Sequence, residues 1–279
     1  MYEKIDEQTK NKLIQYYLSK PMSINDAANH VGISYISAQK ILKPYPKYSK
    51  TLIFNPNLNE HYFHTIDSED KAYFLGFIIG DGNVFTDYCK NGYSAMISIT
   101  ANECDLEVLE SFITQTGAST TIGRDGRGAR QAVIRSNIMA DDLKQYGVIS
   151  RKTEHTYLPT NIPEQFMKDV IRGICDSDGS VGAKPLKNNP NKFNHWISFC
   201  GTEQLMNDIS NYCFQHLSLK HKSSVYTYKN KTLSETKFKN IHDMHTVGMW
   251  LYDNSDFYLS RKKDKFVHFC EHYNMEIPR

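Results

Sequence analysis

Phe74–Gly82, FLGFIIGDG, is apolar at nearly every position and then stops at Asp-Gly. So continuous a run predicts a helix packed on most of its sides. Ile171–Gly179, IRGICDSDG, repeats the plan. Gly76 and Gly80 in the first stretch, and Gly173 and Ser177 in the second, stand four apart and share one helix face. Small residues on such a face let two backbones approach closely. These four are therefore expected to form an interface between the two helices. Gly after a last helical turn is an ordinary stop signal. Asp81 and Asp178, however, put a carboxylate at the negative end of a helix dipole, at a cost of about 0.3–1 kcal/mol. Two such ends side by side ask for a bound cation.

The flanking pattern also runs twice. After the helix Ala72–Asp81 it predicts a strand near Asn83–Asp87 and a second over Tyr93–Thr100, with Ala95, Ile97 and Ile99 on one face. An amphipathic helix Asp105–Thr116 follows, then a hairpin of Thr120–Arg124 with Gln131–Ser136, then a helix Met139–Tyr146. The second copy reads helix Gln165–Asp178, strands near Ser180–Lys184 and His195–Cys200, and helix Glu203–His216. It closes with a hairpin of Ser223–Lys229 and Thr236–Met244 and a helix Val247–Tyr252. ISIT at 97–100 is echoed by ISFC at 197–200, and Ser150–Arg151–Lys152 by Ser260–Arg261–Lys262. The chain is thus expected to be α+β, with two αββαββα units over 71–160 and 161–279.

Residues 1–45 read differently. A helix over Glu7–Ser19 carries Leu13, Ile14, Tyr17 and Leu18 at helical spacing, and Lys20–Met22 breaks it. Ser23 can cap Ile24–His30; after the turn at Gly32, Ser34 can cap Tyr35–Leu42, with Ile36, Ile41 and Leu42 inward. This stretch resembles the helix-turn-helix of resolvase-like and phage repressor proteins. In that motif the second helix enters the major groove. The resemblance implies that Tyr35, Ser37, Gln39, Lys40 and Lys43 face DNA; the alternative is a three-helix packing module without DNA contact. Residues 46–70, rich in Pro and Asn, read as a linker. Tyr45, Lys47, Tyr48 and Lys50 suit either a plain tether or a strap along a phosphate backbone.

Composition narrows the setting. A hydrophobic content of 40% and a charged content of 23% describe a globular protein, and the net charge of only +2 announces no polyanion partner. The distribution says more. Lys220, Lys222, Lys229, Lys231, Lys237 and Lys239 share their stretch with one acid, Glu235. Arg124, Arg127 and Arg130 punctuate a loop, and Arg261, Lys262, Lys263 and Lys265 form another cluster. Several such clusters on strand-like segments suggest a polyanion surface. Six scattered Cys without C-x-x-C argue against a zinc ribbon and for reduced thiols. His242-x-x-His245 reads as a solvent-facing pair in a strand region more than as a ligand pair. No signal peptide or membrane span is read, so the expected setting is cytoplasmic (bacterial or phage) or an organellar matrix, not secreted.

Two motif helices with this order between them resemble the single-chain, two-motif LAGLIDADG homing endonucleases, over about residues 70–270. The match rests on Gly76, Asp81 and Gly82 in the first motif, and on Gly173, Asp176, Asp178 and Gly179 in the second. Ile79 and Gly80 depart from the family's Asp and Ala. The resemblance implies two pseudo-symmetric LAGLIDADG units whose antiparallel sheets lie in the major groove of double-stranded DNA, at a long asymmetric target. It implies a divalent cation, Mg²⁺ or Mn²⁺, held by Asp81 and Asp178, with Lys152 and Lys262 assisting. It further implies hydrolysis of both strands with staggered 3′ overhangs. Hard oxygen ligands suit Mg²⁺, and phosphodiester cleavage needs activated water and charge neutralisation. Asp176 lies about 200° around the helix from Asp178 and reads as structural. Gln131 and Arg135, alternating with Ala132 and Ile134, are expected to face DNA, as are Lys237 and Lys239. A non-cleaving DNA-binding regulator and an RNA-splicing maturase are the competing readings. No splicing residues flank the repeat, which disfavours an intein. Both motifs in one chain point to a monomer.

Overall fold

A computed structural model describes residues 5–19, 24–43, 45, 55, 57–89, 92–125, 128–150, 155–229 and 232–279. The N-terminal unit contains α1 (Glu7–Ser19), α2 (Ile24–Val31) and α3 (Tyr35–Leu42). Leu13, Tyr17, Ala27, Ala28, Ala38 and Leu42 form its core. The small side chains of Ala27, Ala28 and Ala38 allow three short helices to approach. Gly32 makes the α2–α3 turn at φ +77°, a backbone conformation that favours glycine. Ser34 then caps α3 by accepting from the Ser37 N–H. Ile36, expected inward, is 64% exposed, because Ala38 and Leu42 take the buried face of α3. Ser23 lies outside the described residues.

The larger unit holds the duplicated pattern. Its first copy runs α4 (Glu69–Asp81), β1 (Asn83–Cys89), β2 (Gly92–Ala101), α5 (Leu106–Thr116), β3 (Gly123–Arg124), β4 (Arg130–Arg135) and α6 (Asn137–Lys144). The second runs α7 (Glu164–Asp178), β5 (Ser180–Leu186), β6 (Asn189–Gly201), α8 (Glu203–His216), β7 (Val225–Thr227), β8 (Ser234–Phe238) and α9 (Ile241–Tyr252). Each copy makes a four-stranded sheet, ordered β1-β2-β4-β3 and β5-β6-β8-β7. The registers correspond: Ile97 faces Ile134 and Ser98 faces Val133 in the first sheet, while Ile197 faces Phe238 and Ser198 faces Lys237 in the second. Ile97, Ile99, Ala132 and Ile134, like Ile197, Phe199 and Phe238, are buried, which leaves the alternate residues on the opposite face.

Two expectations change. The strand expected over Thr236–Met244 ends at Phe238, because Asn240 accepts from the His242 and Asp243 N–H groups and starts α9. His242 and His245 therefore lie on a helix, not a strand, and His245 Nε2 is 2.8 Å from the Glu276 carbonyl. A further helix, α10 (Ser260–His272), follows the second copy and begins at the Ser-Arg-Lys triplet. It reaches across to the first copy. Arg261 Nε donates to both carboxylate oxygens of Asp105 at 2.8 and 2.9 Å, and the Ser260 N–H donates to Glu107 at 3.1 Å. No described helix is long and apolar enough to cross a membrane.

Candidate active site

α4 and α7 pack backbone to backbone. A Cβ on Gly76 would sit 2.0 Å from the Val170 carbonyl oxygen. One on Gly173 would sit 2.1 Å from the Tyr73 carbonyl oxygen and 3.0 Å from the carbonyl carbon of Gly76. One on Gly80 would meet the Ser177 hydroxyl at 1.9 Å and Asp178 Oδ2 at 3.3 Å. The last turns of both helices thus converge. Asp81 and Asp178, each exposed and each the final residue of its helix, stand at that shared foot. Two oxygen-only carboxylates at two negative dipole ends form a donor set that fits a hard divalent cation.

The foot of α7 is fastened from beneath. Asp176 is fully buried and accepts from Tyr73 Oη at 3.0 Å, Tyr252 Oη at 3.1 Å and the Leu259 N–H at 2.8 Å. Lys262, only 2% exposed, donates to the carbonyls of Cys175, Asp176 and Gly179, each at 2.7 Å. Burial pushes the Asp176 carboxyl up and the Lys262 ammonium down from their ordinary ranges, with each group's charge opposing the other's shift. Asp176 accepts in each of its bonds and Lys262 donates all three of its protons, contacts that favour the charged form of each group. Lys262 thereby spends its ammonium on the α7 terminus rather than on open space above it.

Arg172 is a second buried cation, on α7 itself. It donates to the Phe257 carbonyl at 2.6 Å, the Leu251 carbonyl at 3.0 Å, Ser255 Oγ at 2.8 Å and Glu69 Oε1 at 2.7 Å. Glu69, in the first turn of α4, also accepts from the Asp256 and Phe257 N–H groups. Arg172 thus aligns the two motif helices at the end opposite the carboxylates. Its guanidinium also comes within 2.8 Å of Asp169 Oδ1, which nevertheless accepts no hydrogen bond of good geometry. Burial, opposed by that guanidinium, pushes the Asp169 carboxyl up to about 6. Sequence reasoning passed over Arg172, Tyr73 and Tyr252. An arginine inside an apolar motif run was the readable signal for the first.

The exposed sheet faces carry the remaining candidates. Gln131 and Arg135 project opposite buried Ala132 and Ile134 on β4. Lys237 projects likewise on β8, paired with Glu235 at 2.7 Å and 5.9 Å from the Trp196 ring. Lys239 is exposed just beyond the strand. Between this face and the foot of α7, the Cys200 thiol is pushed up, first by burial and then by the carboxylates of Glu235 and Asp178. Asp178 is therefore within electrostatic reach of the second sheet. Tyr35, Gln39, Lys40 and Lys43 are exposed on the N-terminal unit, whereas Ser37 is half-buried and shares a 2.9 Å hydrogen bond with the capping Ser34. Lys152 lies outside the described residues.

No family model and no curated protein sequence matches the chain. Solved structures do. The LAGLIDADG meganuclease I-AabMI, bound to uncleaved DNA, aligns with a TM-score of 0.53 at 14% identity, covering 72% of this chain and 89% of that one. A lysine-to-alanine mutant of I-SmaMI aligns with a TM-score of 0.50 at 16% identity, over the same shares of the two chains. At such identities the likeness establishes the fold.

Proposed function

We propose that this chain, which has the two-unit LAGLIDADG fold, is a site-specific double-strand DNA endonuclease that hydrolyses phosphodiester bonds and leaves staggered 3′ overhangs. One observation carries the reading. The close approach of α4 and α7 brings the feet of both helices together, with Asp178 Oδ2 3.3 Å from where a Gly80 Cβ would stand, next to Asp81. Asp81 and Asp178 would hold Mg²⁺ or another divalent cation, which when bound supplies charge neutralisation and an activated water at the scissile phosphates. Lys262 would serve the cleavage by holding the carbonyl end of α7 and so positioning Asp178. Lys152 would be the basic residue of the first half. The exposed sheet faces, with Gln131, Arg135, Lys237 and Lys239, would lie along the major groove of a long asymmetric target. Arg and Gln there suit base edges, and Lys suits phosphates. Residues 1–45 would act as a helix-turn-helix that adds a second DNA contact through Tyr35, Gln39, Lys40 and Lys43, joined by the linker 46–70. Because both halves of the helix pair belong to one chain, it would act as a monomer.

Incubation with a DNA library in Mg²⁺, followed by sequencing of the ends, tests this. Discrete cut sites with 3′ overhangs are expected. Asp81→Asn and Asp178→Asn should each abolish cutting or reduce it to nicking while binding persists. Tight specific binding with no cut ends in Mg²⁺ or Mn²⁺ would sink the nuclease reading. Deleting residues 1–45 should weaken affinity and shorten the footprint; an unchanged footprint would refute a DNA role for that unit.

A further inference from the structure

The loop that leads into α4 carries His61 and His64, which a tight turn brings to one side: the His64 N–H donates to the His61 carbonyl at 3.0 Å. Both rings turn to one carboxylate on α6. His61 Nδ1 lies 3.1 Å from Asp142 Oδ2, and His64 Nδ1 lies 3.2 Å from Asp142 Oδ1. One ligand atom from each residue lies within 4.8 Å of the others. We propose that His61, His64 and Asp142 form a transition-metal site for Zn²⁺ or a neighbouring borderline divalent ion, separate from the carboxylates at the foot of the motif helices.

Spacing, chemistry and rigidity support it. Ligands at 2.0–2.2 Å from a tetrahedral Zn²⁺ stand roughly 3.3–3.6 Å apart, so a set lying within 4.8 Å closes on one ion with side-chain shifts of about 1 Å. Two imidazoles with one carboxylate select Zn²⁺, Ni²⁺ or Cu²⁺ over Mg²⁺ and Ca²⁺, which prefer oxygen donors. Against a carboxylate each Nδ1 carries the ring proton; on ligation that proton sits on Nε2 instead, and no net charge is created on the ring. The His61 and His64 side chains are 64% and 67% exposed, so water can complete the coordination, while Asp142 is held in place at 12%.

The loop is also fixed from behind. The Asn59 N–H donates to the Thr116 carbonyl at 2.9 Å, Ser136 Oγ donates to Glu60 at 2.8 Å, and Gln145 Nε2 donates to the His64 carbonyl at 3.1 Å. Tyr62, Phe63 and Ile66 are buried. Three donors thus converge without ordering new backbone. A bound ion would clamp residues 61–64, the entry of the chain into its larger unit, onto α6. The site lies by the first turn of α4, at the other end of the helix from Asp81.

Titration of the metal-stripped full chain with zinc chloride by calorimetry, in excess Mg²⁺, tests the assignment. One ion per chain is expected, with a Kd in the micromolar range or below, and with a rise in Tm. Asp142→Asn should weaken binding by at least about tenfold, the scale on which even outer-shell losses act. His61→Asn and His64→Asn should do the same; their amides can keep the hydrogen bond to Asp142, so the metal-free Tm should stay near that of the parent. The Asp81→Asn/Asp178→Asn double variant should retain the site. Absence of tight zinc binding, or unchanged zinc affinity in the three ligand variants, would overturn the proposal.

Discussion

At the foot of α7, a buried carboxylate and a buried ammonium tie the helix to α9 and α10. At the equivalent place in α4 stands Ile79, 3% exposed and apolar. Arg172 likewise stands where α4 has Leu75, fully buried among apolar neighbours. The two motif helices share their glycine face and their terminal Asp-Gly, yet they hold their ends by different physics. α4 is positioned by close packing and α7 by a polar lattice. A duplicated fold therefore does not require duplicated anchoring. It requires only that both helices end in register, and the glycine contacts enforce that directly.

Replacing the polar anchor of α7 by an apolar one should be the most damaging, and a like-for-like change in the apolar anchor of α4 far less so. Asp176→Leu, which gives α7 an apolar foot like that of α4, strands the hydroxyls of Tyr73 and Tyr252 and the Leu259 N–H, and removes the carboxylate charge near the buried Lys262 ammonium. Breaking a buried charge set this way costs about 3–5 kcal/mol. Ile79→Leu should cost less than about 1.5 kcal/mol. Urea denaturation of both variants measures the contrast, and equal losses would break it.

The shared glycine face comes next. Gly76→Ala drives a methyl into the Val170 backbone, which cannot yield, and should cost about 1–3 kcal/mol. Gly80→Ala meets the Ser177 hydroxyl, which can rotate, but also the Ser177 Cβ at 2.9 Å, which cannot, and should fall at the lower end of that range, about 1 kcal/mol. The same denaturation series ranks them.

A smaller effect reports on the polar lattice through pH. Asp169 binds its proton more tightly folded, at about 6, than unfolded, near 3.8. Its contribution to stability therefore grows as pH falls through 6 and is complete below 3.8. Between pH 8 and 5 it amounts to about 1.4 kcal/mol, and Asp169→Asn should remove that share of the pH dependence. Parallel curves for parent and variant would show that the carboxylate is not strained.

Smallest is the difference between the sheet faces. Arg135→Ala should weaken DNA binding about tenfold. Lys237→Ala should weaken it about threefold, because Glu235 already neutralises that ammonium. Filter binding at fixed salt distinguishes them.

Much of this architecture was legible where local chemistry decides it. Ser34 marks a helix start that the structure keeps, and Gly117, just past the expected end at Thr116, caps α5 in the left-handed conformation. The strict alternation around Ile97 and Ile197 fixed which faces are buried. The over-long strand past Phe238 arose from reading alternation through Asn240, whose capping role needed its own weight. α10 was missed for a different reason. Its Arg-Lys cluster reads as a surface patch, although Phe266, Phe269 and Cys270 recur at helical spacing and are buried. The place of Lys262 was not legible at all. A lysine reads as exposed until three converging carbonyls, contributed by tertiary docking, are known to receive it.

The bond between Glu69 and the Asp256 N–H spans 187 residues. A ribosome adding about 5–20 residues per second takes roughly 10–40 s to supply the second partner after the first. The helix that fits the glycine face of α4 comes sooner: α7 ends 97 residues after α4, so that face stands without its partner for roughly 5–20 s. The nascent first half is thus the aggregation-prone species in the life of this chain, and slower elongation or scarce chaperone should reduce the yield of soluble protein before it affects the finished fold.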